Sequence, residues 1–546
     1  MKNKSYPLYD VKRITNLRQL IDFRAAESTD TVVFAWAKGK QAQKEITYSQ
    51  LKAQTEALGT AFFELGIKNS RVAVLGENSY NWLLAFFAVI GGNNVAVPLD
   101  KELSADMIEK LICDSECFVL VYSDTYSDIV EKLMKKLSIK FINMNELDSM
   151  VDHGLKLISS GNKDYVNHKV NEDDTAVIVY TSGTTGVSKG VMLTHKNFAL
   201  DTYSACGNCK FYGNTLLVLP LHHTFGLVAG VFVTMLYGYS IYINTSLRNL
   251  SSDLIKVKPQ SLFLVPLFVE TLYKNVWNTV EQKGKTKTLK LLIKISNGLL
   301  AVGIDVRRKL FNSVLSAFGG NLDTIICGGA PLNTKYIQGF RDFGINLLNG
   351  YGITECSPVV SVNRNEFYKD GSVGQILNEC SVKIDNPNKN GDGEVCVKGS
   401  IIMQGYYKME SETNSVLSDG WFHTGDIGHV DEDNFLYITG RKKNLIILSN
   451  GENVAPEELE TLLQNIPLVN EVVVFEREHK IMAEIYPDIQ YAEKNSIVDI
   501  GAAINSAVVQ LNSTLPKFKQ INSVKLRDTE FEKTTTKKIK RNKIGG

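Results

Sequence analysis

Residues 180–190 of this 546-residue chain read YTSGTTGVSKG and follow directly on the apolar run 176–179. Hydroxyls, glycines and a lysine at the carboxyl end of a strand make a flexible loop whose amides, hydroxyls and ammonium can hold phosphate oxygens. It is not a Walker loop, which needs Gly immediately before its lysine and Ser or Thr after it. Here Ser188 precedes Lys189 and Gly190 follows. A second cluster, NGYGITECSP at 349–358, sets an aromatic, a hydroxyl and a carboxylate (Tyr351, Thr354, Glu355) in a turn marked by Gly350 and Gly352. Adjacent histidines, His222 and His223, interrupt the apolar stretch LPLHHTFG at 219–226, and a basic run, KTTTKKIKR, occupies 533–541.

The elements that must position these groups read as alternating strands and helices. Ser49 is placed to cap a helix with Leu51, Leu58, Phe62 and Leu65 on one face, stopped by Gly66. A strand at 72–75, a helix at 81–90 and a strand at 95–99 follow, and the pattern recurs at 176–180, 215–219, 241–243, 262–265, 324–327 and 346–348. Apolar strands separated by helices mean a parallel sheet covered on both faces, so the fold class is α/β, with a large layered N-terminal domain. From about 365 to 440 short, turn-punctuated strands predict a small β subdomain, and Pro456 opens an acidic helix start within a separate unit of about 100 residues. The expected division is 1–442 and 443–546, the second a small mobile α+β domain with a helix at 497–511.

Composition excludes several classes. Sixty Lys and Arg against fifty-nine Asp and Glu leave a net charge of +1, so no nucleic-acid partner held by bulk charge is expected. The last thirty residues, from Lys517, nonetheless carry ten basic and three acidic groups. Eight scattered cysteines make no disulfide framework, and Cys113/Cys117 and Cys206/Cys209 read as small buried thiols in a reducing compartment. The start of the chain has charge but no signal-peptide core, which predicts a cytoplasmic protein. Residues 211–247 contain no Asp, Glu, Lys or Arg, but Pro220, His222, His223 and Gly226 break the run. The reading is a strand, a histidine loop and a buried helix from about Phe225, with no transmembrane segment and contact with a membrane surface left open.

TSGTTGVSKG resembles the signature loop of the adenylate-forming, or AMP-binding, superfamily, which includes acyl-CoA synthetases, peptide-synthetase adenylation domains and firefly luciferase. LPLHHTFG, GGAPL (328–332), NGYGITECSP, GEVCVKG (393–399), WFHTGDIG (421–428), GRKKNLIILSNGENVAPEELE (440–460) and KTTTKKIKR follow in that family's order across essentially the whole chain. The resemblance assigns ATP phosphates to Thr181, Ser182, Gly183, Thr184, Thr185, Gly186 and Lys189, and the base to Gly328, Gly329, Ala330 and a stacked Tyr351, with Gly352 beside it. It makes Thr354 a donor to the α-phosphate, Glu355 with Thr181 the ligands of Mg²⁺, and Asp426 with Arg441 the ribose clamp. Lys443 falls on the hinge, Gly451 beside a pantetheine channel, and His223 beside the carboxylate pocket, shaping or gating the acyl channel; His222 reads as a satisfied loop histidine. Lys538 takes the place of the catalytic lysine, although Glu532 and Lys537 stand where the family usually has Pro and Gly. The register of Thr534, Thr536 and Arg541 favours Lys538 over Lys537.

The activity this implies is ATP-dependent formation of an acyl-adenylate followed by transfer to the thiol of CoA. Amino-acid-activating relatives place an aspartate after the histidine loop, and 224–247 contain no acidic residue. A fatty acid of medium or long chain is therefore the expected substrate, with aryl or other acids next, and 227–236 and 262–268 could line a hydrocarbon channel. GRKKNLII lacks the insertion common in ligases that do not use CoA. The alternatives are an enzyme that loads the phosphopantetheine of an acyl or peptidyl carrier protein, and a non-catalytic nucleotide binder. The latter would be expected to lose Glu355 or Lys538.

Overall fold

A computed structural model describes residues 7–37, 42–182, 188–244, 246–448, 453–478, 480–533, 539–541 and 544. Contacts divide the chain into two compact units, one of residues 1–381 with 397–422 and one of 382–396 with 423–546.

Two large sheets organise the first unit. The seven-stranded sheet runs Gly405–Tyr406, Ser188–Thr194, Thr175–Ser182, Val95–Leu99, Arg71–Leu75, Val119–Tyr122 and Lys140–Asn143 from edge to edge. Its pairings are parallel from Thr175–Ser182 onward, as the buried apolar strands demand, and antiparallel at the other edge. In the nine-stranded sheet, Asn346–Gly352, Thr324–Cys327, Ser261–Leu264, Thr215–Leu217, Ile241–Ile243 and Val32–Trp36 are parallel neighbours in that order. The helix His195–Asn208 packs on strands of both sheets. A fully buried layer forms around it, in which Phe232 lies 5.9 Å from Phe198 and 6.2 Å from both Phe86 and Phe87, centroid to centroid.

That layer explains the uncharged run. After the strand Thr215–Leu217 and the histidine loop, Gly226–Phe232 forms a π-helix continued by the α-helix Val233–Leu236, and every residue of both is buried. The stretch is apolar because protein surrounds it on all sides. Among the described residues no helix is long and apolar enough to cross a membrane.

Several local expectations shift. The helix Tyr48–Glu64 is capped by Thr47, not Ser49. Thr47 and Gln50 exchange side-chain bonds with each other's amides, satisfying two orphan donors, whereas Ser49 has Lys52 at the position that would have to reciprocate. Cys113 is exposed, at the solvent face of the helix Ala105–Asp114, while Cys117, Cys206 and Cys209 are buried as expected. In the second unit the helix expected at 497–511 spans Ile500–Thr514, because Asp499 accepts from the Ala502 amide at 2.8 Å and starts it later. Pro456 does open the helix Pro456–Leu463, which covers the three-stranded sheet Val469–Arg477, Lys480–Pro487, Ser523–Leu526 over a core of Leu459, Leu463, Val474, Ile485 and Ile504.

Burial also sets a pH dependence. His195 is fully buried, among the described residues neither ring nitrogen has a hydrogen-bond partner, and burial pulls its pKa down to about 4, Asp174 only partly opposing this. The unfolded chain, with an ordinary histidine near 6.5, then binds the extra proton between pH 6.5 and 4, so stability present above 6.5 is lost as pH falls. The full effect is about 3 kcal/mol. We expect the wild-type melting temperature to fall more between pH 7 and pH 5 than that of His195→Leu; equal falls would show that His195 does not titrate on unfolding.

Candidate active site

The segment read as a flexible phosphate loop is largely a β-hairpin. Thr175–Ser182 runs on through the signature, Ser188–Thr194 returns antiparallel to it, and Tyr180 pairs with Gly190 and Thr181 with Lys189. The ladder takes Thr181 and Lys189 out of the loop because antiparallel pairing satisfies their backbone groups at no cost in chain freedom beyond the turn. Gly183, Thr184, Thr185 and Gly186, at the tip, lie outside the described residues, and of Ser182 only the backbone belongs to them.

Lys189 meets the second motif through a residue that the sequence reading missed. Its ammonium sits 4.6 Å from the centroid of the Tyr406 ring, and the Tyr406 hydroxyl donates to Glu355 Oε1 at 2.9 Å. The two-residue edge strand Gly405–Tyr406 pairs with Val191 and Met192. Around it, the Tyr407 amide donates to the Gly190 carbonyl at 2.8 Å and the Met403 amide to the Glu355 carbonyl at 2.9 Å. One short segment thus ties the phosphate-loop lysine to the candidate metal ligand. Burial, reinforced by the Glu355 carboxylate, drives the Tyr406 pKa up, so its hydroxyl stays a donor. The signal available in the sequence was Gly405 followed by two tyrosines between recognised motifs.

Neighbouring parallel strands place the base-site residues. Thr324–Cys327 and Asn346–Gly352 pair in register, Cys327 opposite Asn349, so Gly328–Gly329–Ala330 and Tyr351 leave adjacent carboxyl ends, where α/β sheets bind ligands. Gly329 needs its left-handed backbone, at φ +89°. At Gly352 a Cβ would stand 1.9 Å from the Pro358 carbonyl oxygen, so the turn carrying Thr354 and Glu355 closes only with glycine there. Beneath that turn Asp201 is fully buried; its Oδ2 accepts from the Val359 amide at 3.2 Å, and burial raises its pKa well above the carboxylate range.

The histidine loop is held by Asn78, another residue sequence reasoning passed over. Its side chain donates to the Leu219 carbonyl at 2.8 Å and accepts from the Leu221 amide at 3.1 Å. His222 is buried with Nε2 3.5 Å from Asp100 Oδ1, and burial lowers its pKa to about 3, so the contact joins a neutral imidazole to a carboxylate and is no ion pair. The His223 ring lies 4.3 Å from the His222 ring, centroid to centroid and tilted by 46°, and is half-buried where His222 is buried. Phe225 closes the far end of the loop, 3.4 Å from where a Cβ on Gly328 would lie.

In the second unit Asp426 and Arg441 are register partners on antiparallel strands, and Arg441 Nε contacts Asp426 Oδ1 at 2.6 Å. The carboxylate is buried while the guanidinium is well exposed, leaving a fixed acceptor beside a donor fork. Lys442 is committed to Glu394 at 2.7 Å, whereas burial, with Arg441 nearby, depresses the pKa of Lys443. Gly451, Lys537 and Lys538 lie outside the described residues. The stems flanking 534–538 are anchored: Lys533 bridges to Ile539 and pairs with Glu471, and Arg541 pairs with Glu460, whose Oε1 also accepts from the Val474 amide at 2.7 Å.

The family described as AMP-binding enzyme matches residues 21–407, and its C-terminal domain matches 443–545. A long-chain-fatty-acid–CoA ligase, FadD15 of Mycobacterium bovis, is 28% identical over 550 residues, covering 91% of this chain and 90% of that protein. The long-chain-fatty-acid–[acyl-carrier-protein] ligase AEE15 of Arabidopsis thaliana is 27% identical, covering 82% and 73%. Among solved structures, ATP-bound MatB from Rhodopseudomonas palustris has a TM-score of 0.77 at 24% identity, over 97% of this chain and 98% of that one.

Proposed function

Because this chain belongs to the AMP-binding enzyme family, we propose that it activates a fatty acid of medium or long chain as its acyl-adenylate and transfers the acyl group to CoA. The observation that carries this reading is the junction of Lys189 and Glu355 on Tyr406. It sets a cation for phosphate oxygens, on an antiparallel strand of the seven-stranded sheet, beside a carboxylate for a hard metal, in the turn that follows a strand of the nine-stranded sheet.

In the first half-reaction a carboxylate oxygen of the acid attacks the α-phosphorus of ATP and the bond to pyrophosphate breaks. Lys189 and Lys538 neutralise charge growing on the phosphate oxygens, Thr354 donates to the α-phosphate, Tyr351 stacks on the base, and Asp426 with Arg441 fixes the ribose. Positioning and electrostatics supply the acceleration. A carboxylate, Glu355, with the hydroxyl that the resemblance assigns beside it, Thr181, suits Mg²⁺, which binds few protein oxygens and several phosphate oxygens; held there, the ion would offset negative charge on the triphosphate. In the second half-reaction a thiol sulfur attacks the acyl carbon, losing its proton, and AMP leaves. The proposal includes a turn of the C-terminal domain at Lys443 that withdraws Lys538 and brings a pantetheine channel to Gly451.

The names of the relatives, long-chain-fatty-acid ligases, support the acid class, as does the absence of an acidic residue from 224–247. A second reading, transfer to a carrier-protein phosphopantetheine, is favoured by the acceptor in the Arabidopsis relative's name. ATP–pyrophosphate exchange should depend on fatty acids of about eight or more carbons, each extra methylene adding about 0.8 kcal/mol while it is buried. A panel in which aryl acids alone support exchange, or no acid does, overturns the proposal. Radiolabelled acid with CoA and then with holo carrier protein decides the acceptor.

A further inference from the structure

The helix Thr286–Ala301 and the turn after it present a surface that the proposed reaction does not use. Its buried side, Leu289, Leu292, Ile293 and Ser296, faces the first unit's core. The opposite side should be polar in a helix surrounded by water. Instead Leu291 is 59% exposed, Ile295 48%, Val302 71% and Ile304 52%.

Lysines border these apolar side chains. Lys287, Lys290 and Lys294 are exposed within a turn of Leu291 and Ile295, Lys283 and Lys285 precede the helix, and Lys309 follows the turn. Among the described residues none of the six has an ion-pair partner. From 283 to 309 there are eight basic residues and one acidic residue, a net +7 in a chain whose total is +1. Two acidic groups beside the helix are engaged elsewhere: Asp305 takes Arg307 through both oxygens, at 2.9 and 2.7 Å, and Asp342 accepts from Asn297 at 2.8 Å.

We propose that this face, Lys287, Lys290, Leu291, Lys294, Ile295, Val302 and Ile304, is a docking surface for an anionic lipid bilayer. An interface-lying helix combines an apolar strip that enters the headgroup boundary with lysines whose stems lie along that strip and whose ammonium groups meet lipid phosphates. Local charge complementarity selects a negative surface, and the adjoining apolar side chains require that the surface also accept hydrocarbon. The helix, at 16 residues, is too short to span a bilayer, so it lies on the surface. This inference does not depend on which acid the enzyme activates.

The test is flotation of the full chain with vesicles of phosphatidylcholine containing phosphatidylglycerol as about a third of the lipid, and with phosphatidylcholine alone. Binding is expected to the first and not the second, weakening by about tenfold or more between low and high salt as lysine contacts are screened. Leu291→Ser with Ile295→Ser, and separately Lys287→Glu with Lys290→Glu and Lys294→Glu, should each reduce partitioning by about tenfold or more, with exchange activity and melting temperature retained because all five side chains point to solvent. Unchanged partitioning of both variants would overturn the proposal, since it would move binding to another surface such as the basic segment from Lys517. Absence of binding to anionic vesicles would overturn it too. So would concentration-dependent self-association, lost in the Leu291/Ile295 variant and seen by light scattering without lipid, which would make a second copy the occupant.

Discussion

Lys538→Ala should lower acyl-adenylate formation by about a hundredfold or more, the usual effect of removing one preorganised charge from a developing oxyanion, while thioester formation from synthetic acyl-AMP continues at the wild-type rate. The asymmetry follows from the chemistry. Displacement at phosphorus spreads charge over phosphate oxygens that an ammonium can neutralise, whereas thiolysis of the mixed anhydride develops charge on the acyl carbonyl oxygen, after the proposed turn has taken the lysine away. The assignment rests on the sequence register of Thr534, Thr536 and Arg541; on either side of residues 534–538, Ile539 bridges to Lys533 and Arg541 pairs with Glu460. Lys537→Ala, one residue earlier, should therefore keep most of its exchange activity. Were Lys537→Ala to show the large selective loss instead, the lysine assignment would shift by one; equal loss of both half-reactions in Lys538→Ala would make that residue structural.

Glu355→Gln is expected to produce the second large effect, a fall of about a hundredfold in exchange with a higher Mg²⁺ concentration needed for half-maximal rate. The substitution keeps shape and an acceptor, so the Tyr406 hydroxyl still has an oxygen to bond; what disappears is the negative charge of the proposed metal ligand. Tyr406→Phe isolates the other contribution. It retains the ring under the Lys189 ammonium and removes only the hydroxyl, a neutral donor to a charged acceptor worth about 1.5 to 3 kcal/mol, part of which water can replace at a half-exposed carboxylate. Its exchange rate should fall about tenfold at most on that basis, with the Mg²⁺ dependence shifted less than in Glu355→Gln. If Tyr406→Phe matched Glu355→Gln in both rate and Mg²⁺ dependence, Glu355 would act only by holding the Gly405–Tyr406 edge strand, and its role as a metal ligand would fail.

Different parts of the fold were legible to different degrees. The parallel strands were plain because both their faces are buried, so their residues are apolar without alternation. The helix after the histidine loop was plain for the same reason, although its π geometry was not, since hydrogen-bond spacing leaves no mark on hydropathy. The phosphate segment was harder: its glycines and hydroxyls suit a loop, and only the ladder between Thr181 and Lys189 makes it a hairpin. Ser49 is the expected cap, and the helix is instead capped two residues earlier, at Thr47, because the glutamine three residues beyond Thr47 completes a capping box.

By itself, the order of motifs determined the family, the two half-reactions it implies and the residue types available at each step. Those inferences need only local chemistry, because a lysine, a carboxylate or a glycine turn is identified by its type and neighbours along the chain. The tertiary structure decided which of them meet. Lys189 and Glu355 are joined by Tyr406, and the histidine loop is clamped by Asn78, from segments far away in sequence. It also decided that Leu291 and Ile295 lie on the outer side of their helix while Leu289 and Leu292 lie toward the core. In a helix carrying apolar residues on more than one side, hydropathy alone does not choose the inward face; packing against neighbouring helices does.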